Sequence, residues 1–145
     1  MADLNSQTDI RRGIDPVRVT DNTVQNSQII DRAGWDSLMF VIATGTIADA
    51  DATFQVSITE GNASNLSDGV AATSFIGILG VAATPTGCSF RYDSDDQVLR
   101  IGYTGLARYV QLTITPATNT GNADISCVVI LGHPRTAPNT RQVAT

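Results

Sequence analysis

The sequence predicts an all-β chain: an antiparallel two-sheet sandwich, jelly-roll-like, with extended terminal arms. Three observations predict it. Thr, Val and Ile supply 43 of 145 residues, and these β-branched types favour strands. Helix formers are scarce, with no Lys and a single Glu, Glu60. The apolar runs are short, alternate with polar residues, and are separated by Gly-, Asn- and Pro-bearing turns. A length of 145 residues sets one domain.

Residues 1–13 are polar and aperiodic, which predicts a loose arm. Pro16 excludes a helix, and Val17 and Val19 alternate with Arg18 and Thr20, as in a short edge strand. After the Asp21-Asn22 turn, Ile29 and Ile30 open the next apolar patch. The strongest core signal is 35–42, where Leu38, Phe40 and Ile42 point one way and Met39, Val41 and Ala43 the other. Both faces are apolar, so this strand is expected to be central and covered on both sides, or buried in an oligomer interface. Residues 53–60 alternate cleanly, with Phe54, Val56 and Ile58 inward and Gln55, Ser57 and Thr59 outward. The two strands read as a hairpin with a long loop. A broken apolar run at 75–79 and a short strand at 89–92 follow. Leu99, Ile101 and Tyr103 share one face of 98–103, and Val110, Leu112 and Ile114 share one of 109–115. The 104–107 turn between them reads as a β-hairpin. The last strand is 125–131, and Gly132-His133-Pro134 stops it. The expected division is an arm with a first short strand at 1–28, the sandwich at 29–132, and an extended tail at 133–145.

Charge narrows the function. The net charge is −5, and all nine basic residues are Arg. Residues 1–20 are neutral, 21–132 carry −7 and 133–145 carry +2, so five of nine Arg lie in the two ends. An acidic, Lys-free body is a poor duplex-DNA binder. The longest near-apolar run, 75–83, is about half of what spans a bilayer as a helix. The first nine residues have no basic or apolar signal region, which predicts a chain made and kept in a reducing compartment. Neither nucleic acid nor membrane is expected as a partner.

Candidate chemistry is sparse. His133 is the only His, and a Ser-His-Asp site would need it in a cleft and oriented by a carboxylate. Asp93, Asp95 and Asp96, and separately Asp49 and Asp51, are the carboxylate clusters. Calcium takes six to eight oxygens, and the first cluster is a weak candidate against a reading as turn residues. Cys88 and Cys127 read as free buried thiols. Asn62 and Asn65 match the glycosylation sequon but read as loop residues. Trp35 could be a sugar-binding platform, though a lone Trp at a strand entrance is more often packing. No catalytic residue, metal or cofactor is assigned, and the chain is not expected to be an enzyme.

Two runs carry a resemblance. Gly34-Trp35-Asp36-Ser37-Leu38-Met39-Phe40-Val41-Ile42-Ala43-Thr44-Gly45 looks like the signature strand of small tailed-phage head proteins. Leu99-Arg100-Ile101-Gly102-Tyr103-Thr104-Gly105-Leu106-Ala107-Arg108-Tyr109-Val110-Gln111-Leu112 resembles their late hairpin, and the exit at 130–135 is similar too. Over residues 29–138 the chain thus resembles the decoration, or cement, proteins of tailed bacteriophages. The resemblance implies a structural virion protein on the capsid exterior, made in the host cytoplasm, that stabilises the shell by bridging capsomers. Its implied partners are the major capsid protein and further copies of itself, a trimer being preferred to a dimer. In that setting Arg11, Arg12, Arg18, Arg135 and Arg141 are the expected capsid contacts, and Trp35, Met39, Val41, Tyr103 and Tyr109 the expected subunit packing. The alternative is a carbohydrate- or receptor-binding sandwich of a phage fibre or tail, which needs an exposed aromatic platform.

Overall fold

Alternating sequence becomes two sheets because each strand has one face to hide. The computed structural model describes residues 3–76 and 89–136. Among these described residues, after one helical turn, α1 (Leu4–Gln7), eleven strands follow: β1 (Thr8–Val19), β2 (Gln25–Asn26), β3 (Ile30–Asp31), β4 (Trp35–Ile47), β5 (Thr53–Gly61), β6 (Val70–Ala71), β7 (Phe75–Ile76), β8 (Phe90–Arg91), β9 (Val98–Tyr103), β10 (Tyr109–Ala117) and β11 (Ala123–Pro134). One sheet runs β1-β11-β4-β9-β7. The other runs β2-β10-β5-β6, with β3 also on β10 and β8 also on β5. All the pairings are antiparallel. From β4 onward the long strands alternate between the two sheets along the chain, and the fold is an antiparallel, jelly-roll-like sandwich.

The core is what the two sheets hide between them. Leu38, Phe40 and Ile42 of β4 and Cys127, Val129 and Leu131 of β11 meet Phe54, Val56 and Ile58 of β5 and Val110, Leu112 and Ile114 of β10, all buried. Phe90 stacks on Phe54 with ring centroids 5.0 Å apart. Cys127 is a buried free thiol, and burial pushes its pKa up to about 12; Cys88 lies outside the described residues. In a Cys88→Ser variant, a disulfide reagent at pH 8 is therefore expected to react only as fast as the chain unfolds. Reaction of the native variant at the rate seen in denaturant would show that β11 is not in the core.

Three expectations need correction. Residues 8–13 are not a loose arm: β1 begins at Thr8 and pairs with β11 as far as Val19. Its periodicity is hidden by two register shifts, between Arg12 and Ile14 and between Ile14 and Val17. The second contains Pro16, and an edge-strand bulge tolerates a residue with no N–H. At Gly13 an added Cβ would lie 2.9 Å from the Cys127 carbonyl oxygen, so β1 approaches β11 more closely there than a side chain allows. The other two corrections concern hairpins. Strand β4 lies in the five-stranded sheet and β5 in the other, and β9 and β10 divide the same way. Alternation alone does not distinguish a chain that turns beside itself from one that arches over the core. Here the short connections 48–52 and 104–108 cross between the layers, and each strand finds its partners elsewhere in sequence.

Candidate interaction face

The two sheets differ on their outer faces. In the β2-β10-β5-β6 sheet, Gln111 pairs with Thr59, Thr113 with Ser57, and Thr115 with Gln55, while Asn26 lies opposite Thr113. That face is polar and needs no cover. The five-stranded sheet has the opposite character. One row crosses all five strands as Ile10, Ile130, Met39, Gly102 and Ile76. The next is Arg12, Val128, Val41 and Arg100. A third holds Ser126, Ala43 and Val98. Ile10 is 64% exposed, Val98 71%, Val128 42% and Ile76 39%. Contiguous exposed aliphatic surface of this kind marks interaction sites in soluble proteins. The two-sided apolar pattern of β4 is thus explained on one side by the core; on the other, nothing among the described residues covers it.

Charged residues frame the face. Arg12 lies 3.2 Å from Asp15, and Arg18 makes a two-pronged pair with Asp124 at 2.7 and 2.9 Å. The Arg18 pair holds the Asp124 carboxyl below the usual carboxylate range. Arg100 has no ion-pair partner among the described residues. At the strand ends, Ser37 Oγ and His133 Nδ1 are 2.8 Å apart. Among the described residues no carboxylate holds the other ring nitrogen, so the pair lacks the orienting group of a triad. Arg135 pairs with Asp36 at 2.8 Å.

The expected capsid contacts divide accordingly. Arg11 is committed internally: it bridges Asp9 at 2.8 Å and donates to the Asp31 carbonyl at 2.7 Å, tying β1 to the opposite sheet. Arg12, Arg18 and Arg135 are exposed, and solvated surface pairs of this kind contribute little to stability, so they can exchange partners. Arg141 lies outside the described residues. Of the expected packing residues, Met39 and Val41 are half-buried on the outer face. Trp35 and Tyr103 are spent inside the protomer, at 7% and 4% exposure. Tyr109 lies on the opposite sheet, with the Arg108 guanidinium 5.1 Å from its ring centroid. The burial of Trp35 removes it as a sugar-binding platform, while Tyr92 stands 49% exposed.

Sequence reasoning missed the polar cluster at one end of the sandwich. Tyr103 Oη donates to Glu60 and accepts from the Ala107 N–H at 3.1 Å. The buried Arg32 stands 5.2 Å from the Tyr103 ring centroid and donates to the Ala107 carbonyl at 2.7 Å. Burial and the Glu60 hydrogen bond push the Tyr103 phenol up to about 12. The lone Glu and a Gly-Tyr-Thr-Gly run were the available signals. An open hollow of about 700 Å³ lies beside it, with Asn62, Asp68 and Thr104 in its wall. The Asp68 carboxylate is filled by the Asn62 and Ala63 N–H groups. Asn62 also accepts from the Arg108 N–H, and Asn65 from that of Ser67, consistent with loop roles.

The calcium candidate does not assemble. Asp95 accepts the Ile47 N–H at 2.8 Å, pinning the 92–97 turn to the end of β4, and Asp49 accepts from Thr120 and Asp51. Among the described residues no three His, Cys, Asp or Glu side chains converge as a metal site.

No family model matches the chain, and no curated protein matches its sequence. Among solved structures it is similar to the SPBc2 prophage-derived protein YomS, with a TM-score of 0.51 and 7% identity over 85% of this chain and 92% of that one. Weaker likenesses are to the CBM22-1–GH10 modules of Clostridium thermocellum xylanase 10B and to a family two carbohydrate esterase from Cellvibrio japonicus. Their TM-scores are 0.42 and 0.40, at 12% and 11% identity over 97% and 88% of this chain but only 28% and 34% of theirs. Such values carry no argument about binding or activity. The chain is a β-sandwich whose fold is shared with a phage-derived protein.

Proposed function

We propose that this protein is a structural component of a phage virion that binds the outside of the capsid and stabilises the shell by bridging capsomers. The observation that carries the reading is the aliphatic outer face of the five-stranded sheet. A rigid sandwich with one wet face and one uncovered apolar face is built to work by area. The resemblance of 34–45 and 99–112 to phage decoration proteins supplies the setting. In this reading the partners are the major capsid protein and further copies of the chain, displayed on the virion exterior after synthesis in the host cytoplasm. Linked weak contacts gain avidity through effective concentration. The exposed Arg12, Arg18 and Arg135 are the groups placed to exchange an intramolecular carboxylate for one on the shell.

Cosedimentation with emptied heads of the phage whose genome carries the chain, stripped of accessory proteins, tests the reading. Saturable binding and a higher temperature of shell disruption are the expected results. Truncation should stop before Thr8, because a deeper cut removes β1 from the sheet. Heads that neither bind the full chain nor gain heat resistance from it would refute the proposal.

A further inference from the structure

We propose that Leu106, at the tip of the 104–108 connection, is an anchor side chain that inserts into an apolar pocket, rimmed by basic groups, on the capsid protein. This deepens the structural-protein reading and rests on it. Bridging takes two contact surfaces, and this one lies at an end of the sandwich rather than on the outer face of the five-stranded sheet.

Three features point to an anchor. The first is exposure. Leu106 is 95% exposed, more than any other large apolar residue among those described. Val70, 61% exposed, stands with it in the wall of the hollow beside Tyr103. A lone exposed leucine is ordinary on a protein surface, so exposure alone decides nothing.

The second is rigidity. The chain is tied down on both sides of Leu106. The Thr104 N–H donates to the Ser74 carbonyl at 2.9 Å. Gly105 lies so close under the Tyr103 phenol that no side chain fits there. The Ala107 N–H donates to Tyr103 Oη at 3.1 Å, and the Ala107 carbonyl accepts from Arg32 Nε at 2.7 Å. The Arg108 N–H donates to Asn62 Oδ1 at 3.3 Å, and the Arg108 carbonyl accepts from the Arg32 N–H at 3.0 Å. A connection braced in this way has given up its backbone freedom on folding. A partner that takes up Leu106 therefore gains the burial of an aliphatic side chain with little left to order.

The third is charge, which names the chemistry of the partner. Glu60 and Asp68 share the hollow with Leu106. The Tyr103 hydroxyl and the Asn62 and Ala63 N–H groups occupy these carboxylates without supplying a cation. Neither carboxylate has an ion-pair partner among the described residues. A pocket that receives Leu106 brings its rim to this hollow, and the complementary rim carries arginine or lysine. Arg135 leaves β11 at the same end of the sandwich, since Pro134 pairs with Trp35 and Leu38 with Tyr103.

Cosedimentation with the same emptied heads tests the proposal. Leu106→Ala is expected to raise the dissociation constant about tenfold or more, and Leu106→Asp about a hundredfold, with melting temperatures unchanged because the side chain stands in water. Val24→Ala, an exposed apolar change toward the opposite end, is expected to leave binding as it is. Glu60→Gln still accepts the Tyr103 hydroxyl and is expected to weaken binding at low salt, and less at high salt. In the free chain, backbone order parameters for 104–108 are expected near the ~0.85 of rigid backbone, and values below about 0.6 overturn the proposal. Equal binding of wild type and a folded Leu106→Asp overturns it and spares the capsid reading, as does indifference to Glu60→Gln. Heads that ignore the wild type refute both.

Discussion

Phe40→Ala is expected to lower the unfolding free energy by about 3–5 kcal/mol, whereas Val41→Thr, one residue along the same strand, is expected to change it by less than about 1 kcal/mol. Phe40 is fully buried between the sheets and is flanked in register by Val129 and Ile101. Truncation deletes transfer free energy and leaves a cavity that well-paired neighbours cannot close. Val41 stands between Val128 and Arg100 on the outer face. Threonine there keeps the β-branched shape and adds a hydroxyl that meets water. Against a total of roughly 5–15 kcal/mol, the first change consumes a large share of the stability. Urea titration of the two variants, at a concentration too low for association, reads the difference directly. Equal losses would mean that both faces of β4 are buried within one protomer, which would remove the ground for an interaction face.

That contrast also separates what the sequence showed about β4 from what it could not show. The alternation of Leu38, Phe40 and Ile42 with Met39, Val41 and Ala43 identified a central strand with two apolar faces, and the structure places it between β11 and β9. Periodicity reports only that each face avoids water. Whether a face avoids it against the same chain or against another molecule depends on the remaining strands. Connectivity was less legible still. The connections 48–52 and 104–108 have the length and polarity of hairpin turns, yet both cross from sheet to sheet, because strand partners are chosen by global packing. On β1 two bulges broke the period, so residues 8–13 read as a loose arm with Arg11 as a capsid contact. Arg11 pairs with Asp9 instead and closes the side of the sandwich at Asp31.

The site residues follow the same division. Met39 and Val41 were found because their type contradicts exposure. Trp35 and Tyr103 were read as surface packing because large aromatics are common at interfaces, but both are used within the protomer. Ile10, Ile76 and Val98 were not singled out, since each is an ordinary residue in its own strand. They become a surface only when the register of five strands lines them up.

Gly105→Ala is expected to cost about 2–4 kcal/mol and to disorder the end of the sandwich, more than a Gly→Ala change in an open loop would. An added Cβ at that position would overlap the Tyr103 phenol and lie 2.6 Å from Glu60 Oε2. To admit it, Tyr103 must swing away, which breaks its hydrogen bond to Glu60 and the one it accepts from Ala107. Polar groups stripped of partners at a buried site cost about 1–3 kcal/mol each. The arrangement gives the Gly-Tyr-Thr-Gly run a physical meaning: the tyrosine folds back over the second glycine, and the missing side chain is the space it occupies. Tyr103→Phe isolates the hydroxyl and adds a pH signature. The phenol is raised from an ordinary value near 10 to about 12 in the folded chain. A folded-state pKa above the unfolded one contributes stability that is complete below about pH 10 and is lost as pH rises toward about 12. Wild-type melting temperature should therefore fall across that window, and Tyr103→Phe should start lower at neutral pH but fall less steeply. Parallel alkaline limbs in the two proteins would show that the Tyr103 hydroxyl does not sense the fold, and would remove the tyrosine–glutamate bond from the account of how β9 is anchored to β5.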